Sequence, residues 1–266
     1  MLRRMLAVIA ALLASAIMTP SYAQSPPTDA VHQLAPTGTL RVAVLMVSYF
    51  AIPDEASGRL KGAIPDLGEE LARRAGVPVQ LIRFDNPGAI MAAFRDGTID
   101  VTFLGITADR AAVMEFGPTV IDLQTTYLVP ANSPIKTIDE VDRPGVRLVV
   151  PQRSAQEAHL KKTLNHATMI PVAVESPKQA VELIAAGKAD AFSHVVPMLA
   201  SAQPMLPGSR ILPGSYFNVP VSIASAKDRP LAADFCRRFA AEVKASGFVQ
   251  AAITRSGAPG LVVSGP

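Results

Sequence analysis

The sequence predicts an α/β protein of two similar lobes, each a mostly parallel sheet flanked by helices, and three observations carry that expectation. Strand-like and helix-like segments alternate along most of the 266 residues, the pattern in which helices cross over between parallel strands. A short plan recurs: "AFRDGTIDVTFLG" at 93–105 and "LIAAGKADAFSHV" at 183–195 each run from a helix end through Gly, two residues and Asp into a strand, as a duplicated unit would. Two extended, proline-bearing stretches, "TTYLVPANSP" near 125–134 and "YFNVPVSIAS" near 216–225, are placed to carry the chain out to a second lobe and back.

In chain order, "MLRRMLAVIAALLASAIMTPSYAQ" joins Arg3 and Arg4 to an apolar run, a breaking Pro20 and the small residues Ser21 and Ala23. It reads as an export signal cut after Ala23, with general secretion and a twin-arginine address both open. No Cys stands near that cut, so no lipid anchor is expected. Residues 24–37 follow as a linker. "LRVAVLMV" at 40–47 reads as a buried strand, and "IPDLGEELARRAG" as a helix with Ile64, Leu67, Leu71 and Ala75 on one face and Gly76 as its stop. "VPVQLIRF" returns as a strand. Gly97 and Gly187 end their helices in the left-handed conformation, and Asp100 and Asp190 stand at the strand entries. The strand "DVTFLG" leads into a helix over "ADRAAVMEF", and "VRLVV" into a helix opened by the S-x-x-E capping box of Ser154 and Glu157. "SPKQ" at 176–179 has the same capping shape. Residues 229–247 form a closing helix with Leu231, Phe235, Phe239 and Val243 on one face. The expected division is a signal over 1–23, the linker over 24–37, lobe one over 38–126 and 221–266, and lobe two over 127–220.

Composition narrows the function. Removing residues 1–23 takes Arg3 and Arg4 from 25 basic residues and none of 22 acidic ones, which leaves a formal charge of +1. That balance argues against nucleic acid as a partner. Past the signal, no run of 18 apolar residues suits a membrane span. Cys236 reads as a core thiol with no disulfide partner. The histidines, His32, His159, His166 and His194, include no pair spaced for zinc on a helix. His159 and His166 are expected in solvent. With no G-x-S-x-G, Walker or G-x-G-x-x-G motif, neither a nucleophile nor a nucleotide is indicated, and no cofactor or metal is expected.

A ligand belongs in the cleft between the lobes, at the carboxyl ends of strands. Arg110 follows such a strand and starts a helix, so its guanidinium suits an anion, unless it merely pairs with Asp109 or Glu115. Ser154 stands at the equivalent place on lobe two, as a plain cap or as a cap whose helix N–H groups face the cleft. His194, at the exit of the second repeat, is open to ligand contact or to packing.

The mature chain over residues 38–260 resembles the family 3 periplasmic solute-binding proteins, the amino-acid-type receptors of ABC importers. "GTLRVAV", "GAIPDLGEELARRAG", "FRDGTIDVTFLGITADRAAVMEFGP" and "TYLVPANSPIKTIDEVDRPGVRLVV" stand in the order of that family's blocks. The resemblance implies the type II periplasmic binding protein fold with two hinge strands. It also implies a periplasmic receptor that closes on a small anionic or zwitterionic solute and presents it to a permease of the inner membrane, without turnover. Carried over, it makes Arg110 with Thr107 the carboxylate clamp. Gly105, Tyr49 and Phe50 stand beside them on lobe one, Tyr49 and Phe50 as an aromatic lid or as core, with Ser154 and His194 opposite. Where α-amino-acid receptors of the family place an ammonium-binding Asp, this chain has Val195; Ala155 replaces a second hydroxyl, and the stretch from Asp100 to Arg110 is two residues short. A carboxylate without an ammonium, or with its nitrogen held by His194, fits these departures. The alternatives are a periplasmic dehydratase like cyclohexadienyl dehydratase, which shares the resemblance, and an accessory protein that uses the receptor fold for docking.

Overall fold

A computed structural model describes residues 28–173 and 177–265; the expected export signal and the Ser176 of "SPKQ" lie outside the described residues. The chain opens with α1 (Thr28–Leu34), β1 (Leu40–Leu45), a short hairpin of β2 (Ile52–Pro53) and β3 (Leu60–Lys61), α2 (Ala63–Ala75), β4 (Val79–Phe84), α3 (Pro87–Arg95), β5 (Val101–Gly105) and α4 (Ala108–Val113). One long strand, β6 (Met114–Val129), leads away. The second half-sheet is built by β7 (Arg147–Pro151), α5 (Ala155–Thr163), β8 (Thr168–Val172), α6 (Lys178–Ala185), β9 (Ala191–Val195), α7 (Val196–Ala202) and β10 (Arg210–Ile211). Strand β11 (Phe217–Ala226) returns, and α8 (Pro230–Ala245), α9 (Phe248–Ser256) and β12 (Leu261–Val263) finish the chain.

The strands run in the order β4-β1-β5-β11-β6-β9-β7-β8. Strand β1 lies parallel to β4 and β5, and β7 lies parallel to β8 and β9. Between these trios, β6 and β11 pair antiparallel from Thr125 with Phe217 to Met114 with Ala226, with register shifts on either side of Ser222. Such bulges bend a strand locally. The result is a mixed α/β fold of two half-sheets joined through two crossing strands.

The period of two along each strand decides which helices each face accepts. Val42 and Val44 point into a core with Ile64, Leu67 and Leu71 of α2 and Phe239 of α8, while Ala43 between them points into a core with Ile90 and Phe94 of α3. The second half-sheet repeats this, with Leu148 and Val150 on one face and Val149 on the other. Both faces are covered, as expected of a parallel sheet whose crossovers are helices.

Several expectations are corrected. Within the linker, residues 28–34 form a helix, because Ala30 and Leu34 are buried and the Gln33 side chain accepts the Leu231 N–H at 2.9 Å. The helix at 108–116 ends at Val113, and Met114 already belongs to β6, whose pairing with Ala226 outweighs the helical pattern. Leu231 is exposed in the first turn of α8, whereas Phe235, Phe239 and Val243 are buried as the spacing demands. Cys236 is buried beside them, which pushes its thiol up to about 12.

The duplicated plan has a partner that the motif does not include. Gly97 and Gly187 both adopt φ 65°, a conformation that costs glycine nothing. The chain then delivers Asp100 and Asp190 to identical clamps. Asp100 accepts the Arg41 N–H at 3.0 Å, Nε at 2.9 Å and Nη2 at 2.7 Å. Asp190 accepts the same three donors of Arg147 at 2.8, 3.0 and 2.8 Å. Each aspartate N–H returns a bond to the carbonyl of its arginine. The clamp ties the entry of β5 to β1, and that of β9 to β7. The two copies differ in burial: the Asp100 side chain is 0% exposed and also holds Arg229 at 2.8 Å, while Asp190 is 33% exposed.

That difference sets a measurable contrast. Removing a fully buried partner strands its arginines, at a cost of about 3–5 kcal/mol, whereas a part-exposed pair contributes about 1 kcal/mol or less. Urea unfolding is expected to show Asp100→Ala far more destabilised than Asp190→Ala, and equal losses would refute this reading of the repeat.

Candidate functional site

The carboxyl end of β5 and the start of α4 build the lobe-one side. The Thr107 hydroxyl caps α4 by accepting the Arg110 N–H at 3.4 Å. The cap turns Arg110 back over the strand end, where its Nη1 donates to the Gly105 carbonyl at 2.8 Å. A Cβ at Gly105 would lie 3.6 Å from Nη1 and from the Pro220 carbonyl of β11, at ordinary contact distance. The Tyr49 phenol lies near enough to feel this guanidinium: burial raises it above its ordinary value and the guanidinium draws it part of the way back. Burial likewise pulls Arg110 below its ordinary value, and among the described residues no carboxylate pairs with it. Neither Asp109 nor Glu115 pairs with it, which removes the surface-pair alternative. A part-buried guanidinium with no carboxylate is poised to take an anion.

Tyr49 and Phe50 meet edge to face at 4.9 Å. Phe50 is buried in the lobe-one core and its carbonyl accepts the Ile64 N–H at 3.4 Å, while Tyr49 is half-buried at the edge of that core. Of the two aromatics, Tyr49 is the one placed beside Arg110.

On lobe two, Ser154 caps α5 by accepting the Glu157 N–H at 3.0 Å and donates its hydroxyl to the Pro151 carbonyl at 2.6 Å. The expected capping box is altered: the Glu157 carboxylate accepts the N–H of Arg153 at 2.5 Å rather than that of Ser154, and also holds Lys161 at 2.7 Å. Arg153 makes this possible by adopting φ 55°, the only positive φ outside glycine among the described residues. The Ser154 hydroxyl is engaged in both directions, and its backbone N–H has no partner among the described residues. The first-turn N–H groups of α5 have no acceptor within the helix either.

His194, next to last in β9, lies on the face that carries Phe192, whose ring it meets edge-on at 5.6 Å, opposite the face of Ser193 and Val195. Its Nδ1 accepts the Val195 N–H at 2.8 Å, so the proton sits on Nε2, which is buried without an acceptor among the described residues. Burial lowers the imidazole to about 4, so the ring is neutral at pH 7. Val195 itself is 3% exposed and packs with the lobe-one core.

Tyr49, Phe50, Gly105, Thr107 and Arg110 therefore gather on lobe one. Ser154 and His194 stand at the ends of β7 and β9 and make no hydrogen bond to Arg110. An aromatic group was missed. His159, expected in solvent, stacks on Phe217 of β11 at 4.6 Å, and Tyr216 stacks on Tyr127 at 4.7 Å while its hydroxyl bonds Ser193 at 2.5 Å. Only the arrival of β11 against α5 brings these rings together, and no spacing within α5 signals it. Among the described residues, no three His, Cys, Asp or Glu side chains gather into a metal-holding group, and no helix is long and apolar enough to cross a membrane.

Residues 41–255 match the model of the bacterial extracellular solute-binding proteins, family 3. The chain belongs to that family. No curated protein matches it. Solved structures similar to this family 3 chain include the binding component of an ABC transporter from Wolinella succinogenes complexed with lysine, at 23% identity and a TM-score of 0.63, covering 82% of this chain and 95% of that one. An amino acid ABC transporter substrate-binding protein from Streptococcus pneumoniae bound to L-arginine is 17% identical, with a TM-score of 0.62 over 88% of this chain and 99% of that one. The ancestral amino acid-binding protein AncCDT-1, a precursor of cyclohexadienyl dehydratase, is 22% identical, with a TM-score of 0.62 over 84% and 97%. At these identities the likeness shows the fold: the type II periplasmic binding protein architecture. Members of this extracytoplasmic family work with ABC permeases.

The buried imidazole predicts a pH effect. A base held at about 4 in the folded chain and near 6.5 when unfolded takes its proton preferentially in the unfolded state. Its contribution is therefore complete above pH 6.5 and lost as pH falls toward 4, by about 3 kcal/mol in all. Unfolding free energies across this window should fall more steeply for the wild type than for His194→Gln; parallel curves would show that the ring takes up its proton without penalty.

Proposed function

We propose that this family 3 chain is the periplasmic receptor of an ABC importer for a small carboxylate-bearing solute, held between the lobes with its carboxylate on Arg110. The observation that carries this reading is a part-buried guanidinium aimed at the end of β5 with no carboxylate to neutralise it. Such a charge loses hydration on burial and regains its partner when an anion arrives. Thr107 and the Gly105 carbonyl hold the fork in place, Tyr49 covers it, and the N–H of Ser154 reaches the solute from the other lobe on closure. A ligand that touches both lobes stabilises the closed form over the open one, which is all the mechanism a receptor needs. The signal at 1–23 delivers it to the periplasm.

The neighbours bound to lysine and arginine carry cationic amino acids. Here Val195, buried against lobe one, stands where the family's ammonium-binding carboxylate is expected, and an ammonium left there would cost several kcal/mol. The reading therefore favours an organic acid over a cationic amino acid. A dehydratase on this fold needs a cleft acid free to move a proton. Glu157 does not serve, because it is engaged by the Arg153 N–H and by Lys161, both of which hold its carboxyl below the ordinary range.

A thermal-shift screen of the mature chain against short-chain carboxylates and amino acids tests the reading. Carboxylates should raise Tm and lysine should not, prephenate should persist unchanged, and Arg110→Ala should weaken the best hit by at least about 30-fold, or about 2 kcal/mol. A hit of unchanged affinity in Arg110→Ala would remove the clamp.

A further inference from the structure

Besides β6 and β11, one more junction joins the two halves of the molecule. Along the free edge of β6, β12 pairs Leu261 with Leu123 and Val263 with Ile121, and β9 takes over with Val195 opposite Thr125. Strands from the two lobes thus abut end to end at Gln124, whose N–H donates to the Gly260 carbonyl at 2.8 Å. At that junction Gly260 adopts φ 73°, and a Cβ placed on it would lie 2.3 Å from Cβ and 2.8 Å from Cγ1 of Val196, the first residue of α7. Helix α7 straddles the boundary. Met198 and the preceding Val195 pack with the lobe-one core, whereas Leu199 and Ala202 pack in lobe two.

A rotation of the lobes about the crossing strands that carries α7 with Leu199 and Ala202 of lobe two moves Val196 relative to Gly260. Movement in one direction opens the contact freely. In the other it drives a β-branched side chain into backbone that is anchored to β6 by the Gln124 bond, and close-packed atoms do not yield. We infer that Gly260 and Val196 form a mechanical stop of the hinge, setting one limit of the angle between the lobes and hence the free-energy gap that a ligand must bridge. The glycine is required at this point for two reasons that act together, the positive φ that leads the chain into β12 and the absence of a side chain where the lobes touch. A group added on either side of the contact wedges the lobes to a new angle and changes affinity without touching the ligand.

Spin labels at Ser57→Cys in the β2–β3 hairpin and Lys162→Cys in α5 report the interlobe distance by pulsed electron resonance; both positions are exposed, and the buried Cys236 stays unlabelled. Gly260→Ala is expected to shift the distance distribution from that of the doubly labelled parent, and Val196→Gly in the same chain, which removes the Cβ that the alanine would meet at 2.3 Å, to restore it. Because alanine at this φ is strained, Val196→Phe inserts the same wedge from lobe two without changing the backbone, and should shift the distribution too. Identical distributions in all variants, or a Gly260→Ala shift that Val196→Gly fails to reverse, overturn the inference. So does loss of the folded far-UV spectrum in both single variants, which assigns the contact to stability alone.

Discussion

The antiparallel pairing of β6 with β11 is the constraint on which the rest of the molecule depends. These two backbones belong to both half-sheets, so neither lobe completes its sheet without strands that also serve the other. The pairing fixes where strand ends fall. Gly105 at the end of β5 lies opposite Val221, and Val195 at the end of β9 lies opposite Thr125, so the carboxyl ends of both parallel trios converge on the crossing. A cleft there follows from topology rather than from any particular side chain. The register shifts beside Ser222 place flexure within the same pair of strands, while the Thr119 and Ser222 hydroxyls, 3.0 Å apart, keep the irregular stretch hydrogen-bonded.

Charge is handled in two ways on this frame. Arg41 and Arg147 meet carboxylates in bidentate geometry at the strand entries, at the far ends of the half-sheets from the cleft. Arg110, at a strand exit, meets a carbonyl and a phenol. The residue type is the same and the surroundings decide its role: a neutralised fork holds two strands together, whereas one partly desolvated without a counter-charge has its favourable interaction still to make. On lobe two, the αL backbone of Arg153 diverts Glu157 from the cap and leaves the Ser154 N–H available. Sparsely populated backbone conformations of this kind are retained where the surroundings over-determine them, often next to functional groups.

Much of the fold was legible because local patterns carry it. The apolar period of α2, the β1 and β7 runs, and the Gly-x-x-Asp plan all act within a few residues and reappear as drawn. The misreadings have one physical source. Residues 28–34 become a helix, residue 114 starts a strand, and His159 leaves solvent for Phe217 because each finds a partner more than 50 residues away. Long-range burial and pairing outweigh local propensity, which is a weak prior.

By itself the sequence determined a two-lobed α/β chain with a guanidinium at a strand exit, a capped helix after the corresponding strand of the other lobe and a valine rather than an acid at residue 195, since residue identity and spacing suffice for those. The tertiary structure alone decided that Arg110 has no acidic partner, that His194 is a neutral buried ring facing away from Ser193, and that the start of α7 rests on Gly260. Each of these is a matter of distance between segments remote in the chain, and a distance of that kind exists only once the half-sheets have closed around their shared strands.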